Sequence, residues 1–226
     1  MLRVLDKILG RPIRHLLFVL TRSYYALFYN VSCSNKHLLQ DMQGALILAT
    51  HVSRHDGPLI ASVLYTTCRI RPTAHYKEYH SIAQWLPMYV TGTIPMSSPK
   101  SWPPEKRQAR RMRTLEVMRK VLNAGNSILL FPAGRIRRQP EELIPEYLTG
   151  THEILNTVPD VPVVILHIDG LGKFQDAKYD GFWSFIGLNK GRRHVSLEIS
   201  ISEALDPTLD LAAFNKRLEN TLNKNS

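Results

Sequence analysis

Four short apolar runs constrain the fold of this chain more than any other feature. They are GALILAT (Gly44 to Thr50), SILLFPAG (Ser127 to Gly134), VPVVILHI (Val161 to Ile168) and HVSLEISI (His194 to Ile201). Each is short, rich in aliphatic or β-branched residues and bounded by Gly, Pro or polar residues, which predicts strands. The last alternates Val195, Leu197, Ile199 and Ile201. Between the runs lie segments with helical spacing. One starts at Asp56-Gly57-Pro58, with Asp56 as a candidate cap, and extends to about Thr67. Another, from Glu105 to Ala124, repeats Met112, Leu115, Met118 and Leu122 as a core stripe, with Gly125 to end it. LDLAAFNKRLENTL near the carboxyl end is amphipathic. YVTGTIPM reads as a further strand, and RPTAHYKEY as a strand entering a short helix. The expectation is a single α/β domain whose mixed sheet is mostly buried between helices.

The N-terminal stretch, residues 1–30, reads differently from the domain expected over residues 31–226. Arg3, Lys7, Arg11, Arg14 and Arg22 are spaced among aliphatic residues, and Tyr24, Tyr25, Phe28 and Tyr29 follow. Its longest aliphatic run, Leu16 to Leu20, is far below the ~20 residues that cross a bilayer. The expectation is an amphipathic helical segment lying in a membrane interface. An ordinary helix docked on the protein's own core has the same pattern. The chain has 29 Lys+Arg against 19 Asp+Glu, a net charge of +10, which calls for an anionic partner. A nucleic-acid partner is not expected, because no binding motif is present and aromatics do not interleave with the basic cluster. An anionic membrane surface is expected, at the cytoplasmic face. Cys33 and Cys68 are too few and too distant to suggest a disulfide framework.

The chemistry-bearing residues follow directly after strands. His51, His55 and Asp56 come after the first apolar run, and Arg135 to Arg138 after the second. In α/β sheets such strand ends are where ligands bind. Across a tight strand-to-helix turn, Asp56 can accept a hydrogen bond from one ring nitrogen of His51 and leave the other to take a proton. No Gly-x-Ser-x-Gly elbow supplies a nucleophile, so the substrate must bring its own, a hydroxyl or water. Duller readings stay open. Asp56 can be only a helix cap, and Arg135, Arg137 and Arg138 only a solvated basic loop. His51 and His55 stand four apart as metal ligands would, but no third ligand is evident and no metal is expected.

The motif THVSRHD resembles the His-x-x-x-x-Asp block of the glycerolipid acyltransferase family, which includes 1-acylglycerol-3-phosphate acyltransferases. Three further blocks resemble that family in the same order: GTIPM (Gly92 to Met96), FPAGRIR (Phe131 to Arg137) and VPVVIL (Val161 to Leu166). Ser98 stands where the second block usually ends in arginine, Ala133 where the third usually has glutamate, and Ile165 where the fourth has a second proline. The resemblance implies an O-acyltransferase with His51 and Asp56 as the catalytic pair. It implies substrate contacts from Gly92, Thr93, Phe131, Pro132, Gly134, Arg135, Arg137 and Arg138. The implied donor is acyl-CoA or acyl-carrier protein, with no other cofactor, and the acceptor is a lysolipid such as 1-acylglycerol-3-phosphate. A catalytically silent protein that binds anionic lipid is the alternative.

Overall fold

The computed structural model describes residues 2–40, 42, 44–53, 55–80, 82–96, 101–137, 141–171, 193–202 and 205–223. Seven strands form one sheet in the order β1-β7-β6-β2-β5-β3-β4. They are β1 (Tyr29–Ser34), β2 (Leu46–Ala49), β3 (Ile70–His75), β4 (Ile94–Met96), β5 (Ser127–Leu130), β6 (Val163–Asp169) and β7 (Arg193–Ile201). Strands β6, β2, β5, β3 and β4 run parallel, β7 is antiparallel to β6, and β1 is parallel to β7. The sheet is therefore mixed, and the four apolar runs are β2, β5, β6 and β7.

The helices are α1 (Leu2–Phe28), α2 (Asp56–Leu64), α3 (Ile82–Thr91), α4 (Pro104–Asn123), α5 (Gly150–Thr157) and α6 (Leu211–Asn223). Side chains alternate across a strand, so each central strand feeds two cores. Ile47, Leu129, Val164 and Leu166 join a core that includes Leu59, Ile60 and Leu64 of α2 and Phe18 and Tyr25 of α1. Leu46, Leu48, Ile128 and Ile165 point the other way. They meet Met118 and Leu122 of α4, Ile154 of α5, and Phe214, Leu218 and Leu222 of α6. With both faces covered, every residue of β2 and β5 is buried, which is why these strands read as continuous apolar runs.

Four local expectations change. Tyr89 to Thr91, read as part of a strand, ends α3, and only Ile94–Met96 is extended. Met112 of the expected core stripe is exposed and Leu115 only half-buried, so α4 packs through its second half. Asp56 is the first residue of α2 rather than its cap, and His55 holds the cap position. At the amino end, α1 runs continuously to Phe28 and β1 begins at Tyr29, so the sheet starts before residue 31.

The helix α1 has two faces. Phe18, Tyr25 and, beyond its end, Tyr29 are buried, and Phe18 stacks on Tyr65. On the opposite side Ile13, Leu16, Val19, Leu20 and Leu27 are exposed at helical spacing. No helix among the described residues is long and apolar enough to cross a membrane.

Candidate active site

Parallel register brings the carboxyl ends of three neighbouring strands together. Leu48 of β2 is level with Leu130 of β5, and Ala49 is level with Leu166 of β6. The turns leaving β2 and β5 therefore share one edge of the sheet, and the two polar clusters of the sequence meet there.

In the turn after β2, His51 Nδ1 lies 2.8 Å from Asp56 Oδ2. The same oxygen accepts the backbone N–H groups of Val52 at 2.7 Å and Ser53 at 2.8 Å. An oxygen that already accepts two backbone hydrogens has no room for a proton of its own, so Nδ1 is the donor. The lone pair is then on Nε2. Asp56 is 0% exposed, and these three bonds offset the cost of burying its carboxylate. They also explain why Asp56 is not a cap: it turns back onto the preceding loop instead of forward onto the helix. The turn closes further through Ser53, whose hydroxyl oxygen accepts the His55 N–H at 3.2 Å.

The loop after β5 forms the other side. The ring of Phe131 stacks on that of His51, with centroids 4.4 Å apart and planes 25° from parallel. Pro132 and Ala133 form a tight turn in which the Gly134 N–H meets the Phe131 carbonyl at 3.0 Å. Gly134 leaves that turn at φ +62°, the left-handed region that disfavours a side chain. The chain then returns, and the Arg137 N–H donates to the His51 carbonyl at 2.7 Å. Phe131 and Arg137 thus grip the histidine from ring and backbone. Arg135 is exposed between them, with no ion-pair partner among the described residues. Arg138 lies outside the described residues.

Gly92 and Thr93 are not brought to this place. They precede β4, which is three strands from β2, a separation of roughly 14 Å at the usual ~4.8 Å spacing. Thr93 is occupied locally: its hydroxyl meets Thr91 at 2.8 Å and its carbonyl accepts the Tyr79 hydroxyl at 2.6 Å. Gly92 sits against the Arg71 side chain, at φ +68°.

Two groups that the sequence did not mark also stand here. Glu142 is 0% exposed, and burial pushes its carboxyl up to about 7 even though Arg137 and the His51 N–H favour the charged form. His167 on β6 is half-buried, and burial lowers its basicity. Among the described residues no three His, Cys, Asp or Glu side chains are grouped to hold a metal. The two thiols lie on β1 and just after α2, and burial raises both above the usual cysteine range, Cys68 to about 11.

The structure is thus a helix-covered α/β sheet with a buried aspartate orienting a histidine at its strand ends. The chain matches the model of the Acyltransferase family over residues 30–166, more than half its length, and it belongs to that family. That span includes both catalytic candidates and the β5 loop. Among solved structures it is similar to the crystal structure of the 1-acyl-sn-glycerophosphate (LPA) acyltransferase, PlsC, from Thermotoga maritima. The TM-score is 0.64 at 17% identity, and the match covers 96% of this chain and 79% of that one. At that identity the likeness shows the fold. Among curated proteins no sequence relative was found.

Proposed function

We propose that the protein transfers a fatty acyl group from the thioester of acyl-CoA or acyl-carrier protein to the hydroxyl of a lysophospholipid. 1-Acylglycerol-3-phosphate is the leading acceptor. The reading rests above all on one observation: His51 is oriented by a buried Asp56 while its Nε2 is left without a protein partner in the described residues. In this mechanism Nε2 takes the acceptor hydroxyl proton as the oxygen attacks the thioester carbonyl carbon. The C–O bond forms, the tetrahedral oxyanion collapses, and the C–S bond breaks. The departing thiolate recovers the proton from the imidazolium, so His51 ends as it began. Asp56 holds the tautomer and stabilises the imidazolium that forms between the two steps.

The cations of the β5 loop fit the phosphates that donor and acceptor carry, with Arg135 available to ligand and Arg137 close to the histidine. The exposed apolar side of α1, with exposed Tyr89 on α3, which Arg14 of α1 joins through the Val90 carbonyl, suits a protein resting on the cytoplasmic face of an anionic membrane. There the acceptor hydroxyl meets the site while the lipid stays in the bilayer.

The test is product analysis by mass spectrometry after incubation with palmitoyl-CoA and a panel of lysolipids, beside a His51→Ala control. New acylated phospholipid from wild type alone supports the reading. No product with any acceptor, together with binding of anionic vesicles, supports the catalytically silent alternative.

A further inference from the structure

Glu142 lies outside all four blocks of the family resemblance, on the chain segment between β5 and α5. Its neighbours in sequence are Glu141 and Leu143, and an acidic residue in such a loop is ordinarily solvated. Here it is buried. Neither carboxyl oxygen has a hydrogen bond of good geometry among the described residues. The groups around it belong to the active site. Arg137 and the backbone N–H of His51 favour its charged form, as does the His51 ring, and Asp56 opposes it.

Its position is imposed from elsewhere. Asn223 of α6 accepts the Glu142 N–H at 2.7 Å and donates to the Glu142 carbonyl at 3.0 Å. One turn earlier on the same face, Glu219 accepts the Ile144 N–H at 3.1 Å. A further turn back, Asn215 donates to the carbonyls of Pro145, Glu146 and Leu148. Three side chains at helical spacing thus lace the segment to α6 and fix the backbone of Glu142.

We infer that Glu142 is a positioning residue of this site, its carboxylate facing the His51 N–H and the Arg137 guanidinium so as to dock the β5 loop on the histidine turn. The inference rests on the proposed acyl transfer for its role in rate, but not for its geometry. Ionised, the carboxyl attracts both groups. Protonated, it loses its charge attraction for Arg137. The charged groups that face it are Arg137 from the β5 loop and His51 and Asp56 from the turn after β2. From β6, His167 faces Arg137 in turn. On α6, Glu219 and Asn223 are engaged with the backbone of the segment.

A buried carboxyl that resists ionisation is a cost to the fold, so this residue should trade stability against activity. The tests are Glu142→Gln and Glu142→Ala in the full chain, with two readouts. In urea unfolding, wild type should lose stability as pH rises toward about 7, because the folded carboxyl holds its proton more tightly than the unfolded one. Glu142→Gln should lack that slope and be the more stable protein at pH 8. In kcat/KM for palmitoyl-CoA and 1-acylglycerol-3-phosphate, Glu142→Gln should be at least tenfold slower at pH 8. Its acid limb should lack one titration that wild type shows, and Glu142→Ala should be no better. Identical pH profiles for wild type and Glu142→Gln overturn the inference, and so does a wild type whose stability is flat across that range. If no acceptor yields product even with wild type, the proposed reaction fails, and the crossover in stability still decides the placement of Glu142.

Discussion

The hydroxyl of Tyr25 lies 3.4 Å from Nδ1 of His55, joining the first helix to the turn that carries the His51–Asp56 pair. The two histidines of that turn therefore face different partners. His51 faces Asp56 and Phe131, and His55 faces α1, where Tyr25 is buried and its phenol held well above the usual range by that burial.

Removing residues 1–30 should accordingly destabilise the protein. The deletion takes Phe18 and Tyr25 from the core and Tyr29 from β1, and losing one such aromatic typically costs about 3–5 kcal/mol. Membrane binding is better tested on the outer face. Leu16→Asp, Leu20→Asp and Leu27→Asp together should leave the thermal transition near wild type while abolishing co-sedimentation with anionic liposomes. Undiminished sedimentation of the triple variant would show that this face is not the contact.

His51→Ala should lower kcat/KM by roughly 10²–10⁴, the range for loss of a general base, with the fold intact by circular dichroism. Asp56→Asn should be nearly as severe, since an amide can hold the wrong tautomer and cannot stabilise the imidazolium. The double variant should lose little more than the worse single one. His55→Ala should act on stability and spare the rate, so equal rate losses at both histidines would overturn the division of roles.

Asp56→Ala differs in kind from Asp56→Asn. It removes the acceptor of two buried N–H groups, those of Val52 and Ser53, and losing the partner of a buried donor costs about 1–3 kcal/mol. Urea unfolding should show Asp56→Ala well below wild type and Asp56→Asn closer to it.

Arg135 and Arg137 should separate in kinetics. Arg135→Ala removes an exposed cation and should raise KM for the phosphate-bearing substrate, leaving kcat nearly unchanged. Arg137→Ala removes a group that faces Glu142 as well as the site, and should lower kcat too. If the two variants show the same split between kcat and KM, the β5 loop acts as one undifferentiated patch of charge.

Much of the fold was legible because the central strands are covered on both faces. Burial on both sides leaves an unbroken apolar run, as in GALILAT and SILL, and such runs signal themselves. The strand β1 did not: YNVSCS pairs, among the described residues, with β7 alone, alternates more and less buried positions, and follows α1 without a break. Tyr89 to Thr91 misled because their β-branched and aromatic character was overridden by the helix they complete. At the site, His51 and Asp56 were legible because their partnership is local, within a single turn. Glu142 was not, because its burial is imposed by side chains of α6 that lie far away in sequence. For Gly92 and Thr93 the sequence alone did not show that they precede β4, three strands from β2.

The pairing of β1 with β7 has a consequence in time. Tyr29 is level with Arg193, so during synthesis β1 waits for a strand far downstream in the chain before it can pair. Contacts of such wide sequence separation form late and slowly. During that interval the inner face of α1 can already rest on α2, with Phe18 on Tyr65, while its outer face stays apolar and exposed. A nascent chain in this condition presents the apolar outer side of α1 while its sheet is still incomplete. Whatever covers that outer side is therefore available to be met before β1 has found its neighbour in the sheet.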